Sequence, residues 1–241
     1  MLPTDTAGAS TEDMSERPAL LLVHGAWHGS WCWNPLRTLL EANGWRVDTV
    51  DLPSVAPASA PRHGMHDDAQ AIRDAVHGPT VVVAHSYGGI PATQAAMPEV
   101  QHLIYVAAFL PDLGDSLLTM VGGTAPPWWR TEEDVIHALT PETVFFNDVD
   151  DPPTDRLLPQ SRKAFTDELT EAAWHDTPST YVICEKDNAI PPFAQEAMAG
   201  RATTTERLDA GHSPFLSCPQ ELAAIIENAV SLPRRPFPSS G

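Results

Sequence analysis

At 241 residues with 42% hydrophobic content, the chain can bury one full core, and a single domain is expected. Its 32 acidic residues against 14 basic ones give a formal net charge of −18, which sets long-range repulsion against nucleic acid and anionic membrane. Cys32, Cys184 and Cys218 are too few and too scattered for a disulfide framework and form no CxxC pair. Residues 1–17 are polar and acidic, an expected disordered lead-in with neither a secretory signal nor an anchor. No stretch approaches the roughly 18 apolar residues of a membrane span. The expectation is a soluble cytoplasmic protein, monomer or homodimer, acting on a small molecule.

In chain order, β-type runs fall at 19–23, 46–50, 80–84, 102–106, 179–184 and 203–207, with helical patterns at 35–43, 67–77, 87–97, 191–199 and 219–230 between them. Strands alternating with helices predict an α/β fold with a six-stranded, mostly parallel sheet. The runs Leu20-Leu21-Leu22-Val23 and Val81-Val82-Val83 are apolar throughout, as central strands covered on both faces require. Between the fourth and fifth runs, residues 109–178 are too long for a simple connection and carry Trp128, Trp129, Phe145, Phe146, Phe165 and Trp174. A helical cap over the site, about 110–178, is expected within a domain spanning 18–232, followed by a flexible Pro/Ser-rich tail at 233–241.

The run Val83-Ala84-His85-Ser86-Tyr87-Gly88-Gly89 takes a strand through a small-x-Ser-x-Gly turn into a helix, which lifts the serine above the sheet on a strained bend. The serine needs a base, and chain order after the last strand points to His212 in Asp209-Ala210-Gly211-His212-Ser213-Pro214-Phe215. A carboxylate must hold that imidazole in one tautomer. Asp187, just past the fifth strand, is favoured over Glu185 and Asp112. The developing oxyanion needs two amides, one from Tyr87 after the serine and one from the turn His24-Gly25-Ala26-Trp27-His28-Gly29, where Ala26 is chosen. Trp27 and Trp128 are expected to line the substrate pocket. His24 suits structural hydrogen bonding.

No cofactor or metal is expected. The nucleotide-binding patterns GxGxxG and GxxxxGK[ST] are missing from the sequence. His63, His66, Asp67 and Asp68 look like a metal cluster on paper, and Asp148, Asp150 and Asp151 look like a calcium loop; both are expected to be solvated charge.

Together, residues 22–33, His85-Ser86-Tyr87-Gly88-Gly89 and Gly211-His212-Ser213-Pro214-Phe215 resemble the branch of the α/β-hydrolase superfamily that holds pyrethroid-type bacterial esterases, plant methylesterases and plant hydroxynitrile lyases. The resemblance extends through Phe145-Phe146-Asn147-Asp148 in the cap. It implies ester hydrolysis with Ser86, Asp187 and His212 as triad and Ala26 and Tyr87 as oxyanion donors. The lyases of this branch place a threonine where Gly25 stands and a lysine where Ser213 stands, so cyanohydrin cleavage is not expected. A non-hydrolytic cyclase or lyase of the same fold, or a ligand receptor with residual esterase activity, is the alternative.

Overall fold

A computed structural model describes residues 17–60 and 62–231; the expected lead-in, apart from Arg17, and the expected tail lie outside the described residues. These residues form nine strands: β1 Ala19–Val23, β2 Val47–Val50, β3 Thr80–His85, β4 Val100–Val106, β5 Trp129–Glu132, β6 Val135–Ala138, β7 Gln160–Ser161, β8 Ser179–Cys184 and β9 Thr204–Leu208. Six of them build one sheet in the order β2-β1-β3-β4-β8-β9, every pairing parallel. The chain leaves β1 toward one edge and returns at β3 to run toward the other. The crevice where β1 and β3 end is therefore the topological switch point, the usual ligand position in such sheets.

Period-two alternation divides the core between the two faces of the sheet. Leu21, Val23, Val82 and Tyr181 pack with Met65, Ala69 and Ile72 of the helix Met65–Ala75. Leu20, Leu22, Val81 and Val83 pack instead with Leu36 and Leu40 of the helix Asn34–Ala42 and with Leu222 and Ile226 of the helix Pro219–Ser231. Each of these leucines, fully withdrawn from water, contributes about 2 kcal/mol of burial.

Local chemistry moves some expected boundaries. The helix expected at 67–77 starts at Met65, because the Asp67 carboxylate accepts the Gly64 N–H at 2.7 Å and caps the first turn. After Ser86 the chain makes a tight turn, Ser86–Gly88, and a helix, Gly89–Gln94, that stops short of Pro98. Among the described residues no helix is long and apolar enough to cross a membrane.

The insertion after β4 is not wholly helical, which corrects that expectation. It contains the short helices Leu117–Met120, Pro141–Val144 and Arg162–Thr166, but β5, β6 and β7 form an antiparallel sheet among them. The β-branched pair Val135-Ile136 lies opposite Thr131 and Glu132, and Glu133 turns the hairpin at a φ of 51°. β7 also fastens the insertion to the loop after β2: Ser161 donates its backbone N–H to the Ser54 carbonyl at 2.8 Å, and Ala56 donates to Pro159 at 3.2 Å.

Candidate active site

β3 delivers Ser86 to the switch point with a φ of 53°, in the left-handed region that non-glycine residues rarely occupy. Such strain persists only where the surroundings over-determine it. Close backbone approach supplies that constraint. A β-carbon at Gly88 would run into the His24 carbonyl, and one at Gly25 would lie 2.8 Å from Ser86 Cβ and 2.9 Å from His85 Nδ1. The turns after β1 and β3 thus fit together only because both residues lack side chains.

The loop after β9 brings His212 to this elbow. Its imidazole centroid lies 4.6 Å from that of His85, the residue before Ser86, and His85 Nε2–H donates to the His212 carbonyl at 2.8 Å. Burial pushes the His85 imidazole well below the ordinary histidine range, so the ring stays neutral. Asp187 Oδ2 lies 2.8 Å from His212 Nδ1, with both side chains buried. A carboxylate here accepts Nδ1–H and leaves Nε2 free to take a proton.

Three further donors hold Asp187. Its Oδ1 accepts the amides of Ala189 at 2.7 Å and Ile190 at 2.9 Å, and its Oδ2 accepts Gln195 Nε2–H at 3.0 Å. The rival carboxylates lie elsewhere. Asp112 pairs with His175 at 3.0 Å and is exposed, while Glu185 faces Arg207 at 3.5 Å on the surface.

The turn after β1 is held by its own histidines. His24 Nδ1–H donates to the Gly25 carbonyl at 2.8 Å and His24 Nε2 accepts the Leu52 N–H at 3.0 Å. His28 Nδ1–H donates to the Ala26 carbonyl at 2.8 Å, and burial lowers the His28 imidazole to about 3, so it stays neutral. Trp27, at a φ of 62°, sends its indole into the cap. Its Nε1–H donates to the Ile136 carbonyl at 2.8 Å, and its ring meets Trp128 at 5.6 Å, Phe165 at 5.5 Å and Phe145 at 5.4 Å. Phe145 in turn lies 5.6 Å from the His212 ring, so an aromatic cluster roofs the serine and its neighbours.

Two groups expected to be solvated charge behave otherwise. Asp68 is wholly buried and accepts from Ser54 and Tyr87, because the first turn of its helix faces inward beneath the elbow. Asp148 is exposed, yet its Oδ2 accepts the Gly211 N–H at 2.5 Å, one residue before His212. Next to it, Asn147 donates to the carbonyl of Lys186 at 3.0 Å, one residue before Asp187. Sequence alone does not assign Gln195, Asp68, Asn147 and Asp148 to the site; the one signal it holds is a Gln among the apolar residues of the helix Pro192–Ala199. Among the described residues, no three His, Cys, Asp or Glu side chains group to hold a metal ion.

Comparison with known proteins agrees with this fold. The model of the alpha/beta hydrolase family matches residues 20–225. Methylesterase 7 of Arabidopsis thaliana is 27% identical, covering 89% of this chain and 96% of that protein, and a probable hydrolase, R7, of a Phoma strain is 28% identical over 87% and 97%. The crystal structure of a pyrethroid hydrolase from Sphingobium faniae JZ-2 superposes with a TM-score of 0.79 at 24% identity, covering 90% of this chain and 98% of that one. Strand order, elbow and family model together place the chain in the alpha/beta hydrolase family.

Proposed function

We propose that the protein is a carboxylic ester hydrolase that cleaves a small, largely apolar ester through an acyl-enzyme on Ser86. The observation that carries this reading is the buried Asp187–His212 hydrogen bond of 2.8 Å beside a serine held at a φ of 53°. His212 Nε2 takes the Ser86 hydroxyl proton as Oγ attacks the ester carbonyl, and Asp187 stabilises the imidazolium that results. The carbonyl oxygen gains the negative charge and is met by the amides of Ala26 and Tyr87. Collapse expels the alkoxide, which receives the proton from His212. Water, deprotonated by the same imidazole, then attacks the acyl carbon; the carboxylic acid leaves and Ser86 regains its proton. No cofactor enters these steps.

The relatives' names support ester chemistry, since methylesterases and a carbendazim-hydrolysing esterase are among them. Trp27 and Trp128, in contact at 5.6 Å, are assigned to the apolar walls of the substrate pocket. Gly25 and Ser213 argue against a cyanohydrin lyase: a larger residue at 25 collides with the elbow, and Ser213 brings no cation to cyanide. The domain is assigned to 18–232 with its cap at 110–178, and the protein to the cytoplasm as a monomer or homodimer. Ser86→Ala is expected to fold and to abolish turnover of a short-chain aryl ester. Near-wild-type turnover by that variant overturns the mechanism.

A further inference from the structure

Asp68 lies outside the proposed proton relay, yet it is among the most deeply buried carboxyl groups described, with no exposed surface. Its partners are neutral. Oδ1 accepts the Ser54 N–H at 2.9 Å, and Oδ2 accepts two hydroxyl protons at 2.5 Å each, from Ser54 and from Tyr87. Ser54 Oγ in turn accepts Gln160 Nε2–H at 2.6 Å, and Gln160 belongs to β7 of the cap. One continuous polar chain therefore runs from the cap through Ser54 and Asp68 to Tyr87.

A carboxylate withdrawn from water among neutral donors lowers stability relative to apolar residues of similar volume. Burial, with a smaller push from the neighbouring Asp67 carboxylate, lifts the carboxyl to about 6 against its hydrogen bonds. Tyr87 is the residue after Ser86, and its ring lies buried 5.6 Å from Phe165 under the aromatic roof. The ring and the backbone N–H of Tyr87 share one α-carbon, so fixing the phenol end restrains the rotation of the peptide between Ser86 and Tyr87. That peptide follows a residue at a φ of 53°, a strained position that relaxes unless it is held from both sides.

Resting on the reading of Ser86 as nucleophile, we propose that Asp68 is a positioning residue that anchors the Tyr87 hydroxyl, aims the Tyr87 amide at the oxyanion, and links that aim to the seating of the cap through Ser54 and Gln160. Asp68 touches neither substrate nor the reacting atoms. Its effect is confined to the transition state, where the oxyanion exists, and leaves ground-state binding unchanged.

The test compares Asp68→Asn, Tyr87→Phe and the double variant with the wild type at pH 8. Each is assayed for kcat and KM on a short-chain aryl ester, for inhibition by an aryl trifluoromethyl ketone that forms a tetrahedral adduct on the serine, and for Tm. Each single variant is expected to lose about tenfold in kcat with KM within about twofold, and the ketone inhibition constant to rise by the same factor. The double variant is expected to be no worse than either single one, because both break one link. Tyr87→Phe keeps the ring and carries the test alone should Asp68→Asn not fold. Single variants with kcat within about twofold of wild type, or a lowered Tm with ketone affinity unchanged, overturn the inference. Ser86→Ala in the same assay separates the two claims: a dead Ser86→Ala with near-normal Tyr87→Phe removes only this inference, whereas an active Ser86→Ala removes the reading beneath it.

Discussion

Gln195 Nε2 lies 3.0 Å from the same Asp187 oxygen, Oδ2, that faces His212 Nδ1 at 2.8 Å. The Gln195 amide also accepts the Cys184 N–H at 3.0 Å and donates to the Ile190 carbonyl at 2.7 Å. One buried side chain thus joins the end of β8, the loop bearing Asp187 and the helix Pro192–Ala199. Gln195→Leu keeps the volume and removes all of these bonds. It leaves buried backbone groups unsatisfied, so urea unfolding should show a loss of about 1–3 kcal/mol. With Asp187 freed on one side, kcat should fall about tenfold. Wild-type stability in this variant would show that the amide holds nothing.

Asp187→Asn and Asp112→Asn give opposite expectations. An amide nitrogen facing His212 Nδ1 favours the wrong tautomer, and the loss in kcat should approach about 10⁴ with folding retained. Asp112 accepts the Leu113 N–H at 2.9 Å and pairs with His175 at 3.0 Å on the surface, away from His212. Its substitution should leave turnover within about twofold, since exposed ion pairs contribute little. Measuring both on one ester decides which acid serves His212.

The cap reaches the loops of both proposed catalytic partners through adjacent residues, Asn147 to Lys186 at 3.0 Å and Asp148 to Gly211 at 2.5 Å. Asp148→Ala should loosen the His212 loop without unfolding the sheet. Faster hydrogen exchange at residues 209–213 is expected, together with a several-fold lower kcat. Exchange unchanged at those amides would mean that the cap merely rests on them.

Asp68 sets a pH dependence of stability with a definite sign. Its carboxyl stands at about 6 in the folded chain against an ordinary value of 3.8, so between those values the folded state binds more protons than the unfolded one. Stability from this group is therefore greatest at low pH and is lost as pH rises from about 4 to about 6, by roughly 3 kcal/mol in all. Other carboxylates act in the same range, so the quantity to measure is the difference between wild type and Asp68→Asn in urea unfolding. That difference should fall across the window and level off above it. A flat difference would refute the assignment.

Much of the sheet and the heart of the site are legible in the sequence because they rest on local signals. Four apolar residues in Leu20-Leu21-Leu22-Val23 mark a doubly covered strand, and the spacing around Ser86 marks a strand–turn–helix bend. Chain order alone puts Asp187 and His212 after successive strands, where the structure finds them 2.8 Å apart. The supporting residues are different. Asp68 and Tyr87 lie 19 positions apart, and Gln160 and Ser54 lie 106 apart; such pairs leave no period for a sequence to show. The cap sheet escapes for a related reason. β5, Trp-Arg-Thr-Glu, buries only its first residue, so its strand identity comes from pairing with β6 and not from its own pattern.

Every proposed step depends on Ser86 being a nucleophile activated by His212. Incubation with a fluorophosphonate probe, followed by peptide mass analysis, tests it most directly. Stoichiometric labelling of the peptide holding Ser86 is expected, with none in Ser86→Ala and labelling slowed by at least about a hundredfold in His212→Ala. A folded wild-type protein that stays unlabelled, or one labelled at another residue, would contradict it.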